Sequence, residues 1–84
     1  MKIEDKVRKL IEDVMSENNY QLDEVKYEKE DNHQFLRIII DKDGIIDIDD
    51  CVFVNNLISP LLDENDFIKE SYILDVCSKE RGRE

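Results

Sequence analysis

Hydrophobic residues in the N-terminal segment recur at the spacing of a helix. They are Ile3, Val7, Leu10, Ile11, Val14 and Met15. Spacings of three, four and seven place them on one stripe, with the charged residues between them on the opposite face. We therefore predict a first helix that ends at Asn18-Asn19, because Asn readily adopts the left-handed conformation that terminates helices.

The next segments have the period of two that is typical of strands. Val25 and Tyr27 alternate with charged residues, and a polar turn, Asp31-Asn32-His33, precedes the β-branched run FLRIII at residues 35–40. This pattern predicts a hairpin. Leu36, Ile38 and Ile40 are expected on one face of its second strand, which is apolar enough to be central.

A turn at Asp43-Gly44 separates this strand from a second helix. Asp47 is the predicted N-cap, and the helix is expected to begin near Ile48. Pro60 removes a backbone donor, so we expect a kink, or a restart with Ser59 as the new cap. Residues 72–77, YILDVC, then alternate well enough to form a last strand.

The order of elements is thus α-β-β-α-β. It predicts an α+β fold in which two helices pack on one face of a small three-stranded sheet. Residues 1–78 form the predicted domain, and residues 79–84, which contain no apolar side chain, are expected to be a polar tail or linker. The pattern leaves open how the third strand joins the hairpin.

Charge narrows the classes of partner. The 84 residues include 12 Lys and Arg against 22 Asp and Glu, a formal net charge of −10. Such a surface repels nucleic acid and anionic lipid and attracts basic proteins or metal ions. With no apolar run of the roughly 20 residues that a membrane span needs and no leader pattern, we expect a cytoplasmic protein. Cys51 and Cys77 are expected to be reduced thiols.

The acidic segment at residues 41–50, DKDGIIDIDD, overlays part of an EF-hand calcium loop. With Gly44 at loop position six, however, position one is Ile39, which cannot bind calcium. The preceding element is also a strand, where an EF-hand requires a helix. A degenerate calcium-binding module therefore remains only the alternative to a solvated turn and helix cap.

The sequence contains no arrangement of residues that favours catalysis. Its acidic pairs lie in turns or at a helix start, and its single histidine, His33, lies in the predicted hairpin turn. The Gly-x-x-Gly loop of KH domains, which bind RNA, is absent as well. We expect neither enzymatic activity nor a cofactor or bound metal.

Several stretches in the right order resemble one family. Residues 36–51 resemble the strand, turn and helix start of the ribosome maturation factor RimP. Residues 19–22, NYQL, are similar to the family's Gly-Tyr-Glu-Leu entry to its first strand, with Asn in place of Gly. Residues 58–63, ISPLLD, and 72–76, YILDV, resemble the end of its second helix and its third strand. After Val76 the family usually reads SSPGLDRPL, and this chain retains only Ser78 and Arg83 in register.

The resemblance implies an N-terminal RimP domain. Such a domain is a non-catalytic assembly factor that binds the immature small (30S) ribosomal subunit and promotes its maturation. The family also has a C-terminal β-barrel, for which this chain has no residues left. We expect a monomer that contacts a basic ribosomal protein first and ribosomal RNA only secondarily. The candidate partner-binding residues are Asp41, Asp43, Asp47, Asp49, Asp50 and Arg83. Whether Phe53, Phe67 and Ile68 belong to the core or to a docking surface is left open.

Overall fold

The computed structural model describes residues 2–65 and 68–79. Two helices and three strands follow the predicted order: α1 (Ile3–Glu17), β1 (Gln21–Glu30), β2 (His33–Asp41), α2 (Ile48–Asn65) and β3 (Ile73–Ser78). The α+β prediction is confirmed. The predicted tail at residues 79–84 lies outside the described residues except for Lys79, so its boundary stays a prediction.

The end of α1 and the hairpin turn both depend on asparagine. Asn19 has a φ of 68°, and the two turn residues Asp31 and Asn32 have φ values of 48° and 65°. Consecutive positive φ angles define the tight two-residue turn that matches the twist of antiparallel strands. The turn is therefore shorter than predicted, and His33 is already the first residue of β2.

β2 lies at the centre of the sheet, as its composition indicates. β1 pairs with it in antiparallel orientation and β3 pairs with it in parallel, which gives the order β1-β2-β3. A parallel neighbour requires a crossover connection, and α2 supplies it. This settles the position of the third strand, which the sequence pattern left open.

The core lies between the sheet and both helices. Leu36, Ile38 and Ile40 share one face of β2 and are completely buried, as predicted. They pack in one cluster with residues from both helices, from β1 and from the segment before β3: Val7, Ile11, Met15, Val25, Val54, Ile58, Leu62 and Ile68. The open question about Ile68 is thereby answered, because it belongs to the core.

The predicted restart at Pro60 is wrong. α2 continues from Ile48 to Asn65 with Pro60 inside it. The side chain of Pro60 is exposed, whereas Ile58 and Leu62 on either side of it are buried. Burial of this apolar face against the sheet offsets the missing hydrogen bond, so packing decides the conformation where local propensity favoured a break.

An arginine connects all three strands on the other face of the sheet. The guanidinium of Arg37, on β2, donates hydrogen bonds to Glu28 and Glu30 of β1 at 2.9–3.0 Å and to Asp75 of β3 at 3.3 Å. It also lies 4.6 Å from the ring centre of Phe35. These hydrogen bonds lower the pKa of Glu30 and raise that of Arg37. One cation thus offsets the repulsion of three carboxylates on neighbouring strands.

Neither described helix has the length and apolarity that crossing a bilayer demands.

Replacing Ile38 by Ala should destabilise the domain strongly, because Ile38 is completely buried on the central strand. Removing a buried isoleucine side chain costs about 2–5 kcal/mol, a large share of the stability of a small domain. Urea unfolding provides the measurement. The control is Ile45→Ala, since Ile45 is 82% exposed and its loss should change stability by less than about 0.5 kcal/mol. Equal effects of the two substitutions would contradict this description of the core.

Candidate functional site

The candidate site is the loop between β2 and α2 together with the first turn of α2. The backbone amide of Lys42 donates a hydrogen bond to Asp41 Oδ1 at 2.9 Å as the chain leaves the strand. Gly44 then has a φ of 93°, a conformation that L side chains rarely adopt. The Asp-Gly turn predicted from the sequence is therefore present, and it directs the chain into α2.

Asp47 and Asp50 form a reciprocal cap at the start of α2. The amide of Asp50 donates to Asp47 Oδ1 at 3.1 Å, and the amide of Asp47 donates to Asp50 Oδ2 at 3.0 Å. Two backbone donors that the helix leaves without partners are satisfied in this way. The predicted N-cap role of Asp47 is confirmed.

Asp50 also links distant parts of the chain. Its Oδ1 accepts a hydrogen bond from the Tyr20 hydroxyl at 2.6 Å and another from Lys42 Nζ at 2.9 Å. Tyr20 follows α1 and Lys42 follows β2, so one carboxylate joins both ends of the hairpin to α2. The Asp50 side chain is only 13% exposed. This carboxylate is a structural element of the loop rather than a free surface charge.

These contacts change how Asp50 and Tyr20 titrate. The Tyr20 hydroxyl, the Asp47 amide and the Lys42 ammonium hold the pKa of Asp50 well below its usual range. The hydrogen bond to Asp50, together with burial, raises the pKa of Tyr20 to about 12. The Tyr20 ring also stacks on Phe53, with ring centres 5.8 Å apart. Phe53, which was left open between core and surface, is 46% exposed and supports this ring.

The five candidate carboxylates therefore differ in what they can offer a partner. Asp41, Asp47 and Asp50 accept hydrogen bonds from within the domain. Asp43 and Asp49 are exposed, and no side-chain hydrogen bond or ion pair joins them to the residues that the structure describes. The sixth candidate, Arg83, lies outside the described residues, as does Phe67.

Sequence reasoning missed the roles of Tyr20 and Lys42. Tyr20 is 30 positions from Asp50 and Lys42 is eight positions away, so neither contact follows from local spacing. A signal was present, since Tyr20 belongs to the NYQL stretch on which the family resemblance depends. Its role could not be read before the ends of the hairpin were placed beside α2.

The geometry gives no support to the calcium alternative. The loop follows strand β2 rather than a helix. Within residues 2–65 and 68–79, no group of three or more Asp, Glu, His or Cys side chains is arranged to hold a metal ion. A lysine ammonium already occupies one side of the Asp50 carboxylate.

Three further reactive side chains, His33, Cys51 and Cys77, are not among the candidate partner-binding residues. His33 is exposed at the start of β2. Cys51 and Cys77 are both partly buried, and burial raises the pKa of the Cys77 thiol.

The sequence matches the model of a known domain family. The RimP N-terminal domain family matches residues 10–79, which is most of the chain. The match extends from the middle of α1 through β3. It includes residues 41–50, the loop between β2 and α2 with the first turn of α2, which we call the acidic loop. The protein therefore belongs to the RimP N-terminal domain family, and this membership implies a role in ribosome maturation.

Replacing Asp50 by Asn should destabilise the domain in a manner that depends on pH. The pKa of Asp50 is lower in the folded chain than in the unfolded chain, where it is about 3.9, so the unfolded state binds more protons in acid. The contribution of Asp50 is complete above about pH 5 and is lost as the pH falls toward the folded-state value. The difference in urea midpoint between the native chain and the variant should therefore be largest near neutrality and shrink below about pH 4.

The matched control is Asp49→Asn, which removes an exposed neighbouring carboxylate without a side-chain bond in the described region. It should lower the urea midpoint at pH 7 less than Asp50→Asn does. A difference for Asp50→Asn that stays constant from pH 7 to pH 3 would show that its carboxylate charge does not stabilise the loop.

Proposed function

We propose that this chain is a non-catalytic assembly module that binds the immature small (30S) ribosomal subunit and promotes its maturation. The observation that carries the proposal is the match of residues 10–79 to the RimP N-terminal domain. The module acts in the cytoplasm as a monomer, and a net charge of −10 opposes its self-association.

Charge favours a basic ribosomal protein as the first contact. An acidic module is attracted to the lysine- and arginine-rich segments of such proteins, whereas bare RNA repels it. Contact with ribosomal RNA is therefore secondary in this proposal. It would come from the few basic residues near the ends of the chain, including Arg83.

The acidic loop is the proposed contact surface, and the structure refines how it would act. Asp41, Asp47 and Asp50 hold the loop in shape through their hydrogen bonds. Asp43 and Asp49 are exposed and are the carboxylates that a cation of the partner would meet first. A preformed loop binds without the entropy cost of ordering it.

The titration behaviour of the site supports a role without chemistry. A general acid needs a raised pKa near the working pH, whereas the pKa of Asp50 is lowered by three hydrogen-bond donors. Tyr20 and Tyr27 are held protonated, each with its pKa raised to about 12. For Tyr20 the main cause is the hydrogen bond to Asp50, followed by burial, whereas for Tyr27 it is burial, followed by the hydrogen bond to Glu70.

The direct test is co-sedimentation of the chain with purified small subunits. We expect binding to immature small subunits, weaker binding to mature ones and none to large subunits. Because the attraction is between charges, binding should weaken as salt rises from about 50 to 200 mM. Equal binding to large subunits, or no binding at either salt concentration, would contradict the proposal.

The contact surface is tested by the double variant Asp43→Asn with Asp49→Asn. Removing two exposed charges should weaken subunit binding several-fold at low salt and should leave the urea midpoint nearly unchanged. The matched control is Glu12→Gln with Asp13→Asn, which makes the same charge change on the exposed face of α1. If both double variants weaken binding equally, net charge matters and the loop is not the contact surface.

A further inference from the structure

The two edges of the sheet are protected to very different degrees. Along β1, the register shifts at a bulge between Leu22 and Glu24. The Arg8 guanidinium donates hydrogen bonds to the carbonyl oxygens of Leu22 and Asp23 at 3.3 and 3.2 Å. The strand also carries alternating lysines and glutamates. Bulges, charges and covered carbonyls are the usual means by which proteins prevent another strand from pairing with an edge.

The edge formed by β3 lacks these features. Its pairing with β2 runs without a shift from Ile73 to Ser78. It has a single charged residue, Asp75, whose carboxylate is held by Arg37. Within the described residues, β3 pairs on one side only. From Ile73 to Cys77, its outer row of backbone donors and acceptors is therefore a template for a further strand.

A groove of about 360 Å³ accompanies this edge on the helix side. Leu74 and Val76 of β3 form one wall, and Ile48 and Val52 of α2 form the other. Ile48 is 63% exposed and Val52 is 53% exposed, one helical turn apart. A strand added beside β3 would direct every second side chain toward these two residues, because side chains alternate across a sheet. The groove thus favours an occupant with apolar residues at alternate positions.

Charge identifies the kind of occupant. From residue 43 to residue 68 the sequence contains seven acidic residues and no lysine or arginine. On the opposite face of β3, where the other side chains of an added strand would lie, Asp75 pairs with Arg37, which also pairs with Glu28 and Glu30, so that one cation meets three carboxylates. The occupant should therefore be basic. A second copy of this chain would bring another net charge of −10 to the same surface.

We propose that the open edge of β3 and the groove beside α2 bind an extended, basic segment of a partner protein by strand addition. Backbone hydrogen bonds to β3 supply affinity, and alternate apolar side chains in the groove set the register. The inference rests on the proposed function for the identity of the partner as a basic ribosomal protein, and it adds the mode of binding. It places this contact on the edge of β3 and the groove, next to the loop that carries Asp43 and Asp49.

The test uses the full chain, labelled with ¹⁵N, and a seven-residue blocked peptide that alternates lysine and valine. Binding should shift the backbone signals of residues 73–78 and slow the exchange of their amide hydrogens. The control peptide has the same sequence with alternate residues N-methylated on the edge that would face β3. It should bind at least about tenfold more weakly, because the methylated amides cannot form the backbone hydrogen bonds to β3. Equal binding of the two peptides would overturn strand addition.

A pair of variants tests the groove. Ile48→Ser with Val52→Ser removes its exposed apolar wall without changing charge and should weaken peptide binding several-fold. Ile45→Ser is the control, since Ile45 is 82% exposed and does not line the groove. Signal changes confined to β1 or to the acidic loop would overturn the proposal. So would slow exchange at residues 73–78 that increases with concentration in the free chain, because a second copy would then occupy the edge.

Failure of this inference can be distinguished from failure of the proposed function. If the native chain sediments with small subunits and the Ile48→Ser, Val52→Ser variant does so equally, the subunit contact does not use this edge and the inference is overturned. If the alternating peptide binds at β3 and subunits do not bind, strand addition is supported and the proposed function is contradicted.

Discussion

Burial of the central strand is the constraint on which the rest of this structure depends. Leu36, Ile38 and Ile40 have no exposed surface, both outer strands pair with β2, and residues of both helices belong to the same core cluster. A domain of 84 residues has a small core, so the completely buried face of one strand provides a large part of its hydrophobic stabilisation. α2 shows the consequence, because its helix continues through Pro60 while its apolar face is buried in this core.

The net negative charge is a second constraint, because few cations are present to offset the repulsion between carboxylates. Arg37 joins three carboxylates on two neighbouring strands, and Lys42 neutralises Asp50 beside the Tyr20 hydroxyl. Both cations lie where folding brings carboxylates together. Uncompensated charge is thereby left on exposed positions such as Asp43 and Asp49, where solvent screens it and a basic partner can reach it.

Much of the fold could be predicted because its signals are local. Hydrophobic residues that recur every 3.6 or every two positions predicted all five helices and strands. The Asp-Gly and Asn-rich turns predicted where these elements end. The parallel pairing of β3 and the continuity of α2 could not be predicted, since both are decided by tertiary packing. The acidic loop was predicted as a segment, but the sequence did not show which of its aspartates accept hydrogen bonds within the domain and which are exposed. Asp50 differs from Asp49 only because Tyr20 and Lys42, distant in sequence, are brought to it by the hairpin.

The two edges of the sheet differ in a way that bears on function. A three-stranded sheet has two outer strands. The backbone N–H and C=O groups on their outer sides can form hydrogen bonds with another extended chain. β1 is shielded by Arg8 and by its bulge, whereas β3 is bordered by Ile48 and Val52, which are exposed and belong to a stretch, residues 43–68, without lysine or arginine. Negative charge of this density repels further copies of the chain and attracts basic segments. The same net charge that opposes the compact state through self-repulsion therefore also selects which strands can reach the open edge of β3.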